Sequence, residues 1–151
     1  ALTTWEELPL RLEAGTPNYV GAVALAAACD YIDSLGRENV AAYEDDLVAH
    51  AMEKLRSVEG LRIAGSPSKR AGLVSFMMDD VHPLDLCTLV DARGVALRSG
   101  HNCAQPALAW LGETSVARLS PAFYNTFEEI DYAVGQIERA AQMLRAARSR
   151  K

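Results

Sequence analysis

Cysteine is scarce in this sequence. Cys29, Cys87 and Cys103 are an odd number at irregular spacing in 151 residues. They cannot make a disulfide framework, which excludes the small stapled secreted scaffolds and leads us to expect a reducing, cytoplasmic setting. No apolar run reaches the roughly 20 residues a bilayer-spanning helix needs, so no membrane partner is expected. Ala1-Leu2-Thr3-Thr4-Trp5 has neither the charged nor the apolar region of a secretory signal. Lysine is limited to Lys54, Lys69 and Lys151, there is no long basic block, and the net charge is -5. That balance argues against nucleic acid as a partner. The chain also opens without methionine, and we expect it to be a piece of a longer protein.

Apolar residues, by contrast, make up half the chain, enough for one compact core. Residues 1–17, with Pro9 and Pro17 and little periodicity, are expected to be extended or irregular. Asn18 is a plausible N-cap for a helix from Tyr19 to Ser34, ended by Gly36. That helix is apolar almost all round, which predicts burial on most sides and makes Cys29 a small core residue. A second helix is predicted from Arg37 to Val58 on the stripe Val40, Tyr43, Leu47, Ala51 and Leu55, with Glu44 on its polar face and His50 at the boundary. Leu61 to Ala64 and Gly72 to Met78 read as strands around a turn from Gly65 to Arg70.

His82-Pro83 opens a third helix with Leu84, Cys87, Leu89 and Val90 as its apolar face and Gly94 beyond its end. Val95-Ala96-Leu97 is a short β-type run, Gln105 to Leu111 a short helical turn, and Ser115 to Ser120 a strand. Thr126 and Glu129 form a capping box for a last helix with the stripe Ile130, Val134, Ile137, Ala141 and Leu144 and a basic end. Strands and helices without regular βαβ alternation predict an α+β domain, a small, mainly antiparallel sheet with helices on one face.

The chemistry concentrates in Arg98-Ser99-Gly100-His101-Asn102-Cys103-Ala104-Gln105-Pro106. A thiol attacks as thiolate, and cationic neighbours such as Arg98 and His101 favour that form. Gly100 permits the tight turn that would present the thiol at a loop tip. From chemistry alone this is a candidate reactive cysteine, against the alternative of a buried structural cysteine beside a surface histidine.

The stretch resembles the active-cysteine loop of the group II (SufS-type) cysteine desulfurases of the class V aminotransferase family, R-x-G-H-H-C-A-x-P, with Asn102 in place of the second histidine. Glu13-Ala14-Gly15-Thr16-Pro17-Asn18 is similar to that family's E-A-G-T-P-N segment. Arg118-Leu119-Ser120 with Tyr124-Asn125-Thr126 resembles its R-A-S and Y-N-T block. The resemblance implies the small C-terminal domain of a fold-type I pyridoxal-phosphate enzyme, residues 36–151, preceded over 1–35 by a linker and a joining helix from a large domain. It implies that Cys103 accepts sulfur from L-cysteine as a persulfide and releases alanine, with His101 as catalytic companion. Arg118 would bind the substrate carboxylate, which suits a planar guanidinium fork, and Arg98 would serve the substrate or the loop. Gly15 and Thr16 would reach the cofactor phosphate of the neighbouring subunit in a homodimer. The sulfur would pass to a SufE- or SufU-type acceptor for iron–sulfur cluster assembly.

None of the three lysines has the histidine-lysine setting of the family's cofactor lysine, so this chain alone is expected to bind no pyridoxal phosphate and to be inactive. A selenocysteine lyase, a class V aminotransferase and a natural split subunit remain open. So does a non-enzymatic metal-binding or interaction module using His82, Cys87, His101 and Cys103, although the spacing matches no standard zinc pattern.

Overall fold

The computed structural model describes residues 2–65, 67 and 70–149, and the chain divides into two units, residues 1–39 and 40–151. In the first unit a 3₁₀ turn, Leu10–Leu12, is followed by extended chain and then by helix α1, Tyr19–Leu35. Asn18 caps α1 as expected, its Oδ1 accepting from the Gly21 N–H at 2.9 Å, and Gly36 ends it at a positive φ of 82°. No residue of α1 is buried, and Cys29 is exposed rather than in a core. The reason is supply: besides α1 the unit offers one 3₁₀ turn and extended chain, too little to cover a 17-residue helix.

The second unit holds the sheet. Helix α2, Arg37–Arg56, leads into β1, Leu61–Ile63, and β2, Val74–Met78. Then come α3, Pro83–Asp91; β3, Arg98–Gly100; α4, Gln105–Trp110; β4, Val116–Leu119; and α5, Phe127–Arg148. The strands lie in the order β1-β2-β4-β3 and every pairing is antiparallel. Because side chains alternate across a strand, Val74, Phe76 and Met78 of β2 and Ala117 and Leu119 of β4 face one way. They meet Leu47, Ala51 and Leu55 of α2, Leu86, Cys87 and Val90 of α3, and Ile130, Val134 and Ile137 of α5 in one core. The α+β architecture with an antiparallel sheet and a helix layer is the one expected. On the opposite face Met77 and Val116 are covered by Leu108 of α4 in a smaller cluster.

Local departures have local causes. In α3 the buried side chains are Pro83, Leu86, Cys87 and Val90, while Leu84 is 57% exposed. His82 Nδ1 accepts from the Leu84 N–H at 3.2 Å, so the helix begins at Pro83, and the i, i+3, i+4, i+7 face then passes through Leu86. The β-type run at Val95-Ala96-Leu97 is not a strand. Val95 and Leu97 instead pack half-buried against the core, and pairing starts at the next residue, with Arg98 opposite Arg118. The strand expected from Gly72 begins at Val74. Of the turn from Gly65 to Arg70, Ser66, Ser68 and Lys69 lie outside the described residues; Arg70 donates to the Gly65 carbonyl at 3.2 Å.

Candidate active site

β3 and β4 are paired so that Arg98 stands directly opposite Arg118, and β4 on β2 so that Arg118 stands opposite Ser75. Directly opposed residues of an antiparallel pair share a face. Arg98, Arg118 and Ser75 therefore project on the sheet face away from the helix layer. Arg118 is half-buried and its Nε donates to Ser120 Oγ at 3.1 Å. With Nε engaged, the two terminal nitrogens remain to meet a carboxylate.

At the end of β3 the chain reverses. Gly100 has a φ of 105°, and the Ala104 N–H donates to the His101 carbonyl at 2.9 Å, closing a four-residue turn. Its central residues, Asn102 and Cys103, both have positive φ, 53° and 58°. That is the pattern of a type I′ turn, which asparagine and glycine adopt readily. Cysteine in this region is unusual and costs about 1–2 kcal/mol. The turn holds Cys103 exposed at its tip, with Arg98 Nη2 3.6 Å from Sγ. Pro106, in the first turn of α4, starts the helix that leaves it. Arg98, His101, Asn102, Cys103, Gln105 and Pro106 line an open groove of about 410 Å³. His101 is exposed in it.

The geometry thus gathers Cys103, His101 and Arg98 around one turn and places Arg118 on the adjoining strand. Gly15 and Thr16 belong to the first unit, in an exposed bend ahead of α1. The four residues considered as a metal module do not gather. Cys87 is buried in the core, where burial pushes its thiol pKa up and a hydrogen bond with Ser99 partly opposes that. His82 caps α3. Among the described residues no cluster of three or more His, Cys, Asp or Glu could hold a metal.

Reading the sequence missed what supports Arg118. Glu44, assigned only to a polar helix face, accepts from the Phe123 N–H at 3.1 Å, and the Tyr43 hydroxyl donates to the Asn125 carbonyl at 2.9 Å. Asn125 Oδ1 in turn accepts from the Ala122 N–H at 2.9 Å. The loop after β4 is therefore pinned to α2 by partners some 80 positions away, a relation that local pattern does not contain. Ser120 did stand inside a recognised motif, but its contact with Arg118 needed the strand geometry.

The aminotransferase class-V family model matches residues 1–133. A probable cysteine desulfurase of Halalkalibacterium halodurans is 44% identical over 140 residues, 93% of this chain and 34% of that protein. One from Staphylococcus aureus is 42% identical over 140 residues, with 92% and 34% covered. Among solved structures, the cysteine desulfurase CsdA of Escherichia coli superposes with a TM-score of 0.83 at 34% identity, covering 91% of this chain and 34% of that one. The apo cysteine desulfurase of Thermococcus onnurineus superposes at 0.81 with 38% identity, covering 89% and 34%. This chain spans about a third of the length of each of these relatives. The fold is that of a small α+β part of a fold-type I pyridoxal-phosphate enzyme. An antiparallel sheet whose β3 runs into a cysteine turn beside Arg98, read together with these matches, makes the chain a member of the class-V aminotransferase family.

Proposed function

We propose that this chain is the sulfur-accepting part of a pyridoxal-phosphate-dependent cysteine desulfurase of the SufS type. The observation that carries this reading is the exposed Cys103 at the tip of a positive-φ turn with a guanidinium 3.6 Å from its sulfur. In the proposed reaction Cys103 Sγ forms an S–S bond with the sulfur of L-cysteine. The substrate's Cβ–S bond breaks with its electron pair going to Cβ, which takes up the proton that the thiol gives up, so the carbon skeleton leaves as alanine and a persulfide stays on Cys103. Arg118 takes the substrate carboxylate through its two terminal nitrogens. Arg98 offers positive charge to the reacting sulfur, and His101 acts beside it in proton handling. The persulfide then passes to a SufE- or SufU-type acceptor for iron–sulfur cluster assembly, in the cytoplasm.

In this reading none of the three lysines is the one that holds the cofactor, since none stands in the histidine-lysine setting of the resembled family. Lys54 is paired with Asp131 at 3.3 Å between α2 and α5, and Lys69 and Lys151 lie outside the described residues. Pyridoxal phosphate, the electron sink that family membership implies, would then be bound by another part of the protein. In this reading residues 1–35 link and join to that part, and Gly15 and Thr16 approach the cofactor phosphate of the partner in a homodimer. No helix among the described residues is long and apolar enough to cross a membrane.

The test is a chimaera in which this chain replaces the matching third of the Halalkalibacterium halodurans relative. Alanine release from cysteine is expected, and Cys103→Ala should lower it at least about a hundredfold, as loss of a nucleophile does. Transamination that survives Cys103→Ala, with no sulfur transfer from the parent chimaera, would favour an aminotransferase. The 151-residue chain alone, given pyridoxal phosphate and cysteine, should release no alanine; sustained release would refute the division of labour.

A further inference from the structure

The position before the nucleophile departs from the resembled pattern, which has histidine where this chain has Asn102. The two side chains share no titration behaviour, since an amide neither gains nor loses a proton in the physiological range. They do share a backbone property. Asparagine, aspartate and histidine are the residues other than glycine that enter the left-handed region most often. Asn102 sits there at a φ of 53°, and Cys103 follows at 58°.

The side chain is not engaged as a proton carrier would be. Asn102 Nδ2 points to the Gly100 carbonyl at 3.5 Å, and Oδ1 is buried without a partner. A buried acceptor with no donor is costly and contributes nothing to proton transfer. What the residue does supply is the first left-handed step of the turn. A residue without that preference would tend to flip the turn, since types I and I′ are mirror images. The flip would carry Cys103 Sγ away from Arg98, because the 3.6 Å contact joins the turn's second central residue to the strand before it.

We propose that Asn102 is a positioning residue for Cys103, and that its role is to hold the turn in the left-handed sense that brings Sγ to the Arg98 guanidinium. The proposal builds on the reading of Cys103 as sulfur acceptor and assigns position 102 a conformational rather than an acid–base role.

The experiment compares alkylation of Cys103 by iodoacetate and by iodoacetamide in the 151-residue chain carrying Cys29→Ala, with labelling read on the Cys103 peptide by mass spectrometry. A guanidinium beside Sγ favours the anionic reagent, and Arg98→Ala defines the rate ratio without it. The expected difference is about threefold, the Boltzmann factor for one charge pair at ~6 Å in water. Asn102→Ala should bring the ratio to the Arg98→Ala value, while Asn102→Gly and Asn102→His, both at ease with positive φ, should keep the parent ratio. Cys87 staying unlabelled reports an intact core in each variant. If Asn102→Ala exposes Cys87, Asn102→Ser, also without the left-handed preference of asparagine, takes its place. A parent ratio retained by the alanine and serine variants would overturn the proposal, and so would a ratio lost in the glycine or histidine variant. Since alkylation needs no turnover, this result is independent of whether the chimaera's sulfur transfer depends on Cys103.

Discussion

Cys29, Cys87 and Cys103 share one functional group and differ only in surroundings. Cys87 is enclosed by the core, and burial raises its thiol pKa. Cys29 and Cys103 are both exposed. A thiol-disulfide reagent should therefore modify two cysteines in the native chain and the third only when denaturant opens the core. Rapid native labelling of Cys87 would contradict the packing described. Sequence chemistry singled out Cys103 because arginine, histidine and glycine crowd around it in nine residues, and the structure places it exposed beside Arg98. It placed Cys29 in a core, because a single chain segment does not reveal how much other chain is available to cover it.

Among the elements, α5 is the most completely specified by local sequence. Thr126 Oγ1 accepts from the Glu129 N–H at 3.2 Å, and Glu129 Oε2 accepts from the Thr126 N–H at 3.1 Å, completing the capping box read from the spacing. Thr126→Ala should cost about 1 kcal/mol, seen as a fall of a few degrees in Tm. At the other end Arg145 and Arg148 lie in the last turn, as the basic end predicted. Arg145 also ties the turn after β2 to the connection before β1, with Nε 2.5 Å from Asp80 Oδ2 and Nη2 2.9 Å from the Glu59 carbonyl. The Arg145 guanidinium holds the Asp80 carboxyl below its usual range.

A depressed carboxylate pKa stabilises the fold above the unfolded value near 4 and loses that contribution as pH falls through the folded value. Asp80→Asn should therefore lower Tm at neutral pH and make no difference in strong acid. Asp80 is half-exposed, so the neutral effect should be about 1 kcal/mol or less. A Tm difference between the two proteins that persisted unchanged at the acid end would show that the ion pair is not its source.

For the second unit as a whole, the decisive fact is that the sheet has two different faces. Phe76 is fully buried between the sheet and the helix layer, at 0% exposure. Phe76→Ala should cost about 3–5 kcal/mol, read as a lowered denaturation midpoint; a loss below about 1 kcal/mol would mean that the helix layer closes over the cavity. The other face carries Arg98 and Arg118, which an apolar core could not accommodate without paired acids. Separating the packed face from the polar one lets the cysteine turn tolerate positive φ at consecutive residues, because packing on the far side secures the strands that flank it.

Periodicity, caps and composition were sufficient for the helices, the α+β class and the choice of Cys103 as the candidate cysteine, since each depends on residues within a few positions of one another. The register that sets Arg98 opposite Arg118, the bracing of the β4 loop by Tyr43 and Glu44, and the handedness of the Asn102-Cys103 turn were settled only by the tertiary structure. Strand register and contacts across some 80 residues arise from packing the whole sheet, and no short stretch of sequence encodes them alone.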